Sequence, residues 1–403
     1  VAEKVVVRNL YKVFGPQPAQ AMDLLHQGQS KEQIFEKTGM VVGVKDANFS
    51  VDEGEIFVLM GLSGSGKSTL IRLLNRLVEP THGQVLVGGH DVAAMGRKAL
   101  VALRRKDMAM VFQSFALLPH RTVLDNTAFG LEVAGVGRAQ RERRALAVLD
   151  QVGLKAFAGK KPAELSGGMQ QRVGLARALA VDPSLMLMDE AFSALDPLKR
   201  TEMQALLLQL QKDHRRTIVF VSHDLDEAFR IGNRIAIMEG GRIVQIGTPD
   251  EILRNPSDAY VRAFFKGVDV RKYLVARDLA SADALPVVQP TLDGRSDLVR
   301  TSAQLQRGQA SQAVVVEAGG HLLGTVTQDS LHRAMASGAT SLLGALLTDG
   351  AVAAGDLGLH ALVAHVVKTP LAVPVVDAAG NYLGVVTQAQ LLQRLAANEA
   401  DDV

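Results

Sequence analysis

The chain opens on an alternation of apolar and polar positions. Val5 and Val7 alternate with polar neighbours, and the pattern predicts a strand over residues 1 to about 14. The period then changes. Residues 17–38 predict two short helices, with Pro18 near one start and Gly28 at its end. Ser30-Lys31-Glu32-Gln33 has the spacing of a capping box for the second, and Gly39 stops it. Strands return around Val41–Val51 and Glu55–Met60. From Gly61 to about Gly240, helical stretches alternate with short apolar runs: Ala109–Phe112, Leu185–Met188, Thr217–Val221 and Arg234–Met238. Such runs, bounded by turns or helices, are the pattern of buried strands in an α/β sheet.

The last third repeats itself. Val315–Gly320 matches Val375–Gly380, and His321–Gln328 matches Asn381–Gln388, both at an offset of 60 residues. Each unit predicts a strand, a glycine turn, a second strand and a helix (Leu331–Ala336; Leu391–Ala396). Two copies imply a pseudo-twofold pair with a shared core, too few for a solenoid.

Composition adds a boundary and some exclusions. Residues 277–403 carry 7 Lys and Arg against 12 Asp and Glu, whereas the rest of the chain is net basic. That break marks a domain boundary near residue 276. Cysteine is absent, which excludes disulfides and thiolate metal sites. No N-terminal signal pattern and no run of the roughly 18 apolar residues needed to span a bilayer is expected.

The chemistry starts at Gly61-Leu62-Ser63-Gly64-Ser65-Gly66-Lys67-Ser68-Thr69. An apolar strand precedes it and a helical pattern follows, the context in which G-x-x-x-x-G-K-S holds the phosphates of a nucleotide. Glycines allow backbone N–H groups to turn inward, and the helix start adds free donors. Lys67 suits the β and γ phosphates and Ser68 suits Mg²⁺. Leu185–Met188 ends in Asp189 and Glu190, placing one carboxylate to hold Mg²⁺ and the next to polarise a water as general base. Gln113 and His223 each follow an apolar run, where an amide can reach metal or water and an imidazole can reach a γ-phosphate. Ser166, Gly167 and Gly168 precede an Ala/Leu-rich helix, a second anion site at a helix start.

This ordered set resembles the ATP-binding cassette (ABC) ATPases from about Val5 to Gly267. The loop resembles Walker A, Gln113 the Q-loop, Leu165–Met169 the signature, Asp189 and Glu190 the Walker B pair, Ser193–Asp196 the D-loop and His223 the switch histidine. Phe14 stands where the family places an aromatic against adenine. The resemblance implies an ATPase using ATP and Mg²⁺, with Ser68, Gln113 and Asp189 at the metal. It implies a head-to-tail homodimer in which Ser166 and Gly168 of one copy reach the γ-phosphate on the other. The implied fold is an α/β P-loop cassette with RecA-like core, antiparallel β subdomain and helical subdomain (about 115–180), over residues 1–276.

The resemblance narrows further. The helical insertion 16–40, Met169 within the signature, and the Asp189–Pro197 run are similar to the ATPase subunit of glycine betaine/L-proline importers. The repeat resembles a tandem pair of CBS modules (277–337 and 338–403), which those subunits carry. The family implies osmoprotectant uptake, a permease docked at Phe115–His120, an external substrate-binding protein, and a peripheral place on the cytoplasmic face of the inner membrane. Choline, carnitine or another quaternary amine is the alternative cargo, because the cassette never touches it. Adenosine-binding CBS modules end in T-x-x-D; here Ser330 and Gln390 stand in place of the Asp. The net acidic charge of 277–403 argues against a simple basic patch for an anionic membrane. A nucleic-acid-directed ABC ATPase would be expected to carry paired cassettes, long heptads or a basic aromatic stretch, and the sequence has none of these.

Overall fold

A computed structural model describes residues 2–265, 272–291, 294–347 and 350–396. The backbone divides into two compact units, Val1–Phe264 and Phe265–Val403. The expected boundary at residue 276 falls inside the second of these units. Gly267, where the resemblance to the ABC ATPases ends, and residues 397–403 of the second module lie outside the described residues.

The first unit begins with β1 (Glu3–Phe14), α1 (Pro18–His26), α2 (Lys31–Thr38) and β2 (Val41–Asp52). Ser30 caps α2, accepting from the Gln33 amide while the Gln33 side chain accepts from the Ser30 amide. Gly39 closes α2 at φ 68°, in the left-handed region where a Cβ is penalised. Ile34 is fully buried in a small core of its own with Val13, Ala21, Met22, Leu25, Met40 and Val42. Burying one such side chain contributes about 1.5–3 kcal/mol, enough to fix a two-turn helix that would not hold alone.

Next come β3 (Ile56–Met60), α3 (Lys67–Leu74), β4 (His82–Val87), β5 (His90–Asp91), α4 (Arg97–Lys106) and β6 (Met108–Val111). A helical layer follows: α5 (Val123–Val133), α6 (Arg138–Gln151) and α7 (Gly167–Ala180). The unit ends with β7 (Leu185–Asp189), α8 (Pro197–His214), β8 (Thr217–Ser222), α9 (Leu225–Ile231), β9 (Arg234–Glu239), β10 (Arg242–Gly247), α10 (Pro249–Arg254) and α11 (Ala259–Phe264).

Two sheets result. One is antiparallel, in the order β2-β1-β4-β5. The other runs β10-β9-β3-β8-β7-β6, parallel except for the β9–β10 hairpin. All positions of β3, β7 and β8 are buried, so these strands are near-continuous apolar runs rather than alternating, with polar residues only at the ends, at Asp189, Thr217 and Ser222. This is the cassette architecture expected of the sequence. Strand β8 lies between β3 and β7, so Asp189 reaches the phosphate loop from two strands away.

The second unit contains α12 (Ala276–Leu279), β11 (Val287–Val288), α13 (Gly294–Gly308), β12 (Gln312–Val316), β13 (Leu322–Thr327), α14 (Gln328–Ala336), β14 (Ala353–Ala354), α15 (Leu359–Val366), β15 (Val373–Val376), β16 (Tyr382–Val386) and α16 (Gln388–Ala396). Its two sheets, β11-β12-β13 and β14-β15-β16, have the same pairing pattern: one parallel pair, one antiparallel. The repeats meet reciprocally. Leu322 N–H donates to the Gly380 carbonyl (3.0 Å) and Tyr382 N–H donates to the Gly320 carbonyl (2.9 Å). Ser330 and Gln390 are engaged locally. The Thr327 amide donates to Ser330 Oγ (2.9 Å), and the Thr387 amide and hydroxyl donate to Gln390 Oε1 (2.9 and 3.0 Å). Both side chains thus complete the N-terminal cap of the following helix.

Candidate nucleotide site

Strand register assembles the site. Met60 pairs with Ser222, Asp189 with Val221, and Val111 with Met188. The phosphate loop, Asp189-Glu190, His223 and Gln113 therefore all emerge beyond the carboxyl ends of the parallel strands, where open α/β sheets bind ligands.

The loop is folded around Lys67. The ammonium donates to the carbonyls of Gly61 (2.7 Å) and Leu62 (2.9 Å) and lies 3.5 Å from Ser65 Oγ. Lys67 is only 5% exposed. Burial pushes its pKa below the usual lysine value, and the Glu190 and Asp189 carboxylates oppose that shift. Gly66 has φ 104°, and a Cβ there would lie 2.3 Å from the Gly43 carbonyl, so the turn into α3 has no room for a side chain.

Glu190 is where the remaining polar groups converge. Gln113 Nε2 donates to Glu190 Oε2 (3.2 Å), and His223 Nδ1 stands 3.6 Å from the same oxygen. Glu190 itself is held at φ 47°, with its amide donating to the Val221 carbonyl. A non-glycine residue in the left-handed region signals a position constrained by its surroundings. Ser193 Oγ donates to the Glu190 carbonyl (3.0 Å), tying the following turn to it.

Asp189 is 4% exposed. Its Oδ2 accepts from Arg72 of α3 at 3.1 Å, while its buried Oδ1 has no hydrogen-bond partner. An orphaned buried carboxylate oxygen needs a cation or a bound water. That fits Mg²⁺ held through Asp189 and Ser68. No group of three or more carboxylates or histidines able to hold a metal exists among the described residues, so phosphate oxygens would have to complete such a shell.

A cavity of about 660 Å³ runs from this end to Phe14. Ser63, Gly64, Gly66, Lys67, Ser68, Thr69 and Glu190 line one part; Phe14, Val41, Gly43 and the residues Lys31, Glu32, Phe35 and Glu36 of α2 line the other. Its size is that of a small-molecule site. Ser166, Gly167, Gly168 and Asp196 are not among its lining residues. Ser166 instead caps α7, accepting from the Met169 amide (3.4 Å), and Asp196 caps α8, accepting from the Lys199 amide (3.0 Å). Ser166 and Asp196 are both exposed. One chain thus brings together the loop, Asp189, Glu190, Gln113, His223 and Phe14, and leaves the signature outside.

Sequence reasoning missed three participants. Arg72 could have been suspected from its place on the helix that the loop opens, but not its pairing with Asp189. The α2 wall carried no local signal beyond an aromatic in an insertion. Asn126 is fully buried and organises the 115–121 segment: its Oδ1 accepts from the Leu118 amide (2.8 Å), and its Nδ2 donates to the Leu118, Arg121 and Thr122 carbonyls.

Comparison with known proteins bears on the same residues. The ABC transporter family matches residues 44–193. The chain is 54% identical over 98% of both sequences to the glycine betaine/proline betaine transport system ATP-binding protein ProV of Salmonella typhimurium. It is 43% identical over 99% of both to the glycine betaine/carnitine transport ATP-binding protein GbuA of Listeria monocytogenes. Among solved structures, a dimer of the ATP-binding cassette MJ0796, in a post-hydrolysis state bound to ADP and phosphate, is 32% identical. That match covers 61% of this chain and 98% of the other, with a TM-score of 0.52.

Proposed function

The chain belongs to the ATP-binding subunits of ABC transporters of the glycine betaine/proline betaine class, and we propose that it drives the import of glycine betaine and related compatible solutes by hydrolysing ATP. One observation carries the hydrolytic reading: Gln113, Glu190 and His223 meet at a single carboxylate on the rim of the cavity that holds the phosphate loop.

Lys67 and the loop amides bind and orient the β and γ phosphates, and Phe14 supports the base. Glu190 takes a proton from water as the water oxygen bonds to the γ-phosphorus and the bond to the β–γ bridging oxygen breaks, so that ADP leaves with that oxygen and inorganic phosphate is formed. His223 and Gln113 hold the carboxylate and the water in line. Mg²⁺, held by Ser68 and Asp189 with Gln113 in reach, would supply neutralising charge to the phosphates. Ser166, Gly167, Gly168 and Asp196 lie outside the cavity, which supports a head-to-tail dimer: each chain would complete the site of a second copy.

The permease would dock beside Phe115–His120. Arg177 donates to the carbonyls of Ala116 (2.6 Å) and Phe115 (3.3 Å), and Asn126 fixes Leu118. A cleft of about 380 Å³ lies nearby, lined by Phe129, Val133 and Arg177 among others, with Val133 43% exposed. No helix among the described residues is long and apolar enough to cross a membrane, which suits a subunit that meets the bilayer through its permease. The repeats of the second unit would be CBS modules acting as a regulatory platform. Ser330 and Gln390 are bound to their own caps, which speaks against ribose recognition there.

The test is ATP turnover by the chain reconstituted with its permease and betaine-loaded binding protein. Betaine should stimulate turnover, and Glu190→Gln should lower it by about 100-fold or more while ATP still binds. Stimulation by choline or carnitine but not betaine would reassign the cargo. Full turnover in Glu190→Gln would remove the carboxylate from its role.

A further inference from the structure

The insertion between β1 and β2 is built at some expense for its size. Helix α2 has a capping box at one end, a left-handed glycine at the other, and a core of its own around Ile34. Yet the next residue, Phe35, is 56% exposed. Two more apolar residues are left exposed nearby in space: Phe14 at 40% and Val41 at 49%. A lone exposed apolar side chain needs no explanation, but these three line one cavity, and that cavity continues to the phosphate loop. Lys31, at the start of α2, extends its side chain to within 4.0 Å of where a Cβ on Gly240 would stand. The adjacent Gly241 amide donates to the Ser65 carbonyl of the loop at 2.9 Å. The helix therefore reaches the phosphate end of the cavity as well as the Phe14 end.

We propose that α2 is the second wall of the base site, with Phe35 covering the nucleotide base that Phe14 supports. Resting on the ATPase reading above, this gives the insertion a part in nucleotide binding. Phe14 of β1 and Phe35 of α2, aromatics from two separate elements, both line this cavity. Aromatic faces hold a base by stacking whatever its hydrogen-bonding edge, so Phe35 contributes affinity for the base rather than phosphate chemistry. Ile34 anchors the helix and Phe35 does not, so position 35 can be changed without unseating α2.

The experiment measures ATP and inorganic tripolyphosphate binding to the full chain and to Phe35→Ala and Phe35→Tyr. Tripolyphosphate has no base and reports the phosphate end alone. Phe35→Ala should raise the ATP dissociation constant about tenfold or more and leave that of tripolyphosphate unchanged. Phe35→Tyr should restore ATP affinity. In the reconstituted complex, Phe35→Ala should raise KM and spare kcat. Equal ATP affinity in Phe35→Ala and wild type would overturn the proposal, as would a parallel loss of tripolyphosphate. A wild-type chain that binds no ATP would instead sink the nucleotide-site reading itself.

Discussion

Gly43 has no side chain, and the Phe14 ring lies against the space where one would be. A Cβ there would come within 2.8 Å of Phe14 Cε2 and 3.3 Å of Thr69 Cγ2. Gly43→Ala must therefore push the ring aside, while the phosphate loop keeps its Lys67 contacts. ATP affinity should fall several-fold, about 1 kcal/mol for a displaced stacking partner, with turnover at saturation little changed. Titration with a fluorescent ATP analogue checks this; unaltered affinity would show that Phe14 does not need its present place. Lys12 Nζ stands 4.9 Å from the centre of the same ring, so the face of Phe14 is already polarised by a cation.

At the scale of elements, β8 and α9 form the bracket behind His223. Glu227 of α9 is 5% exposed and accepts from Ser222 Oγ (2.6 Å) and Gln204 Nε2 (3.1 Å), while Arg200 pairs with Asp224 at 2.7 Å. Burial raises the Glu227 pKa, and the bonds from Ser222 and Gln204 only partly oppose it. An acid whose folded pKa is raised stabilises the fold fully below its unfolded pKa, and that stabilisation is lost as pH rises through the folded value. Melting temperature should therefore carry a component that declines as pH climbs above about 4.5, and Glu227→Gln should abolish that component. Thermal scans of both chains from acid to mildly alkaline pH decide it; identical pH slopes would remove Glu227 as the source.

The same scale shows what sequence could reveal. The phosphate loop, Asp189 and Glu190 were legible because loop, strand end and carboxylates are neighbours in the chain, and each has a local period or spacing. The caps of α2 were legible for the same reason. Strand β4 escaped because His82–Val87 is short, begins with His82-Gly83 and depends on pairing with β1 and β5, which are distant or too short to signal it. The pairing of Arg72 with Asp189 spans 117 residues, and nothing local predicts it. The α2 wall escaped because Phe35 in an amphipathic helix reads as one more apolar position until its partners across the cavity are placed.

At the scale of the whole molecule, the proposed pairing can be weighed directly. Glu190→Gln with ATP should run at twice the 43.0 kDa chain mass in light scattering. Adding Gly168→Asp, a carboxylate where the partner's phosphate would arrive, should return it to 43.0 kDa. A Cβ at Gly168 meets only the aliphatic part of Lys199, at 3.5 Å or more, so the helix tolerates the change. A doubly changed chain that still pairs would argue against contact through the signature.

The exclusion of Ser166 from the cavity lined by Lys67 also has a genetic consequence. If two chains share every site, a cell that makes equal amounts of sound and defective copies assembles only about a quarter of its pairs from two sound ones. A faulty copy that folds and pairs would thus act as a dominant poison, whereas one that fails to fold would merely halve the dose. Alleles that alter the signature and alleles that wreck the core should then segregate differently in partial diploids.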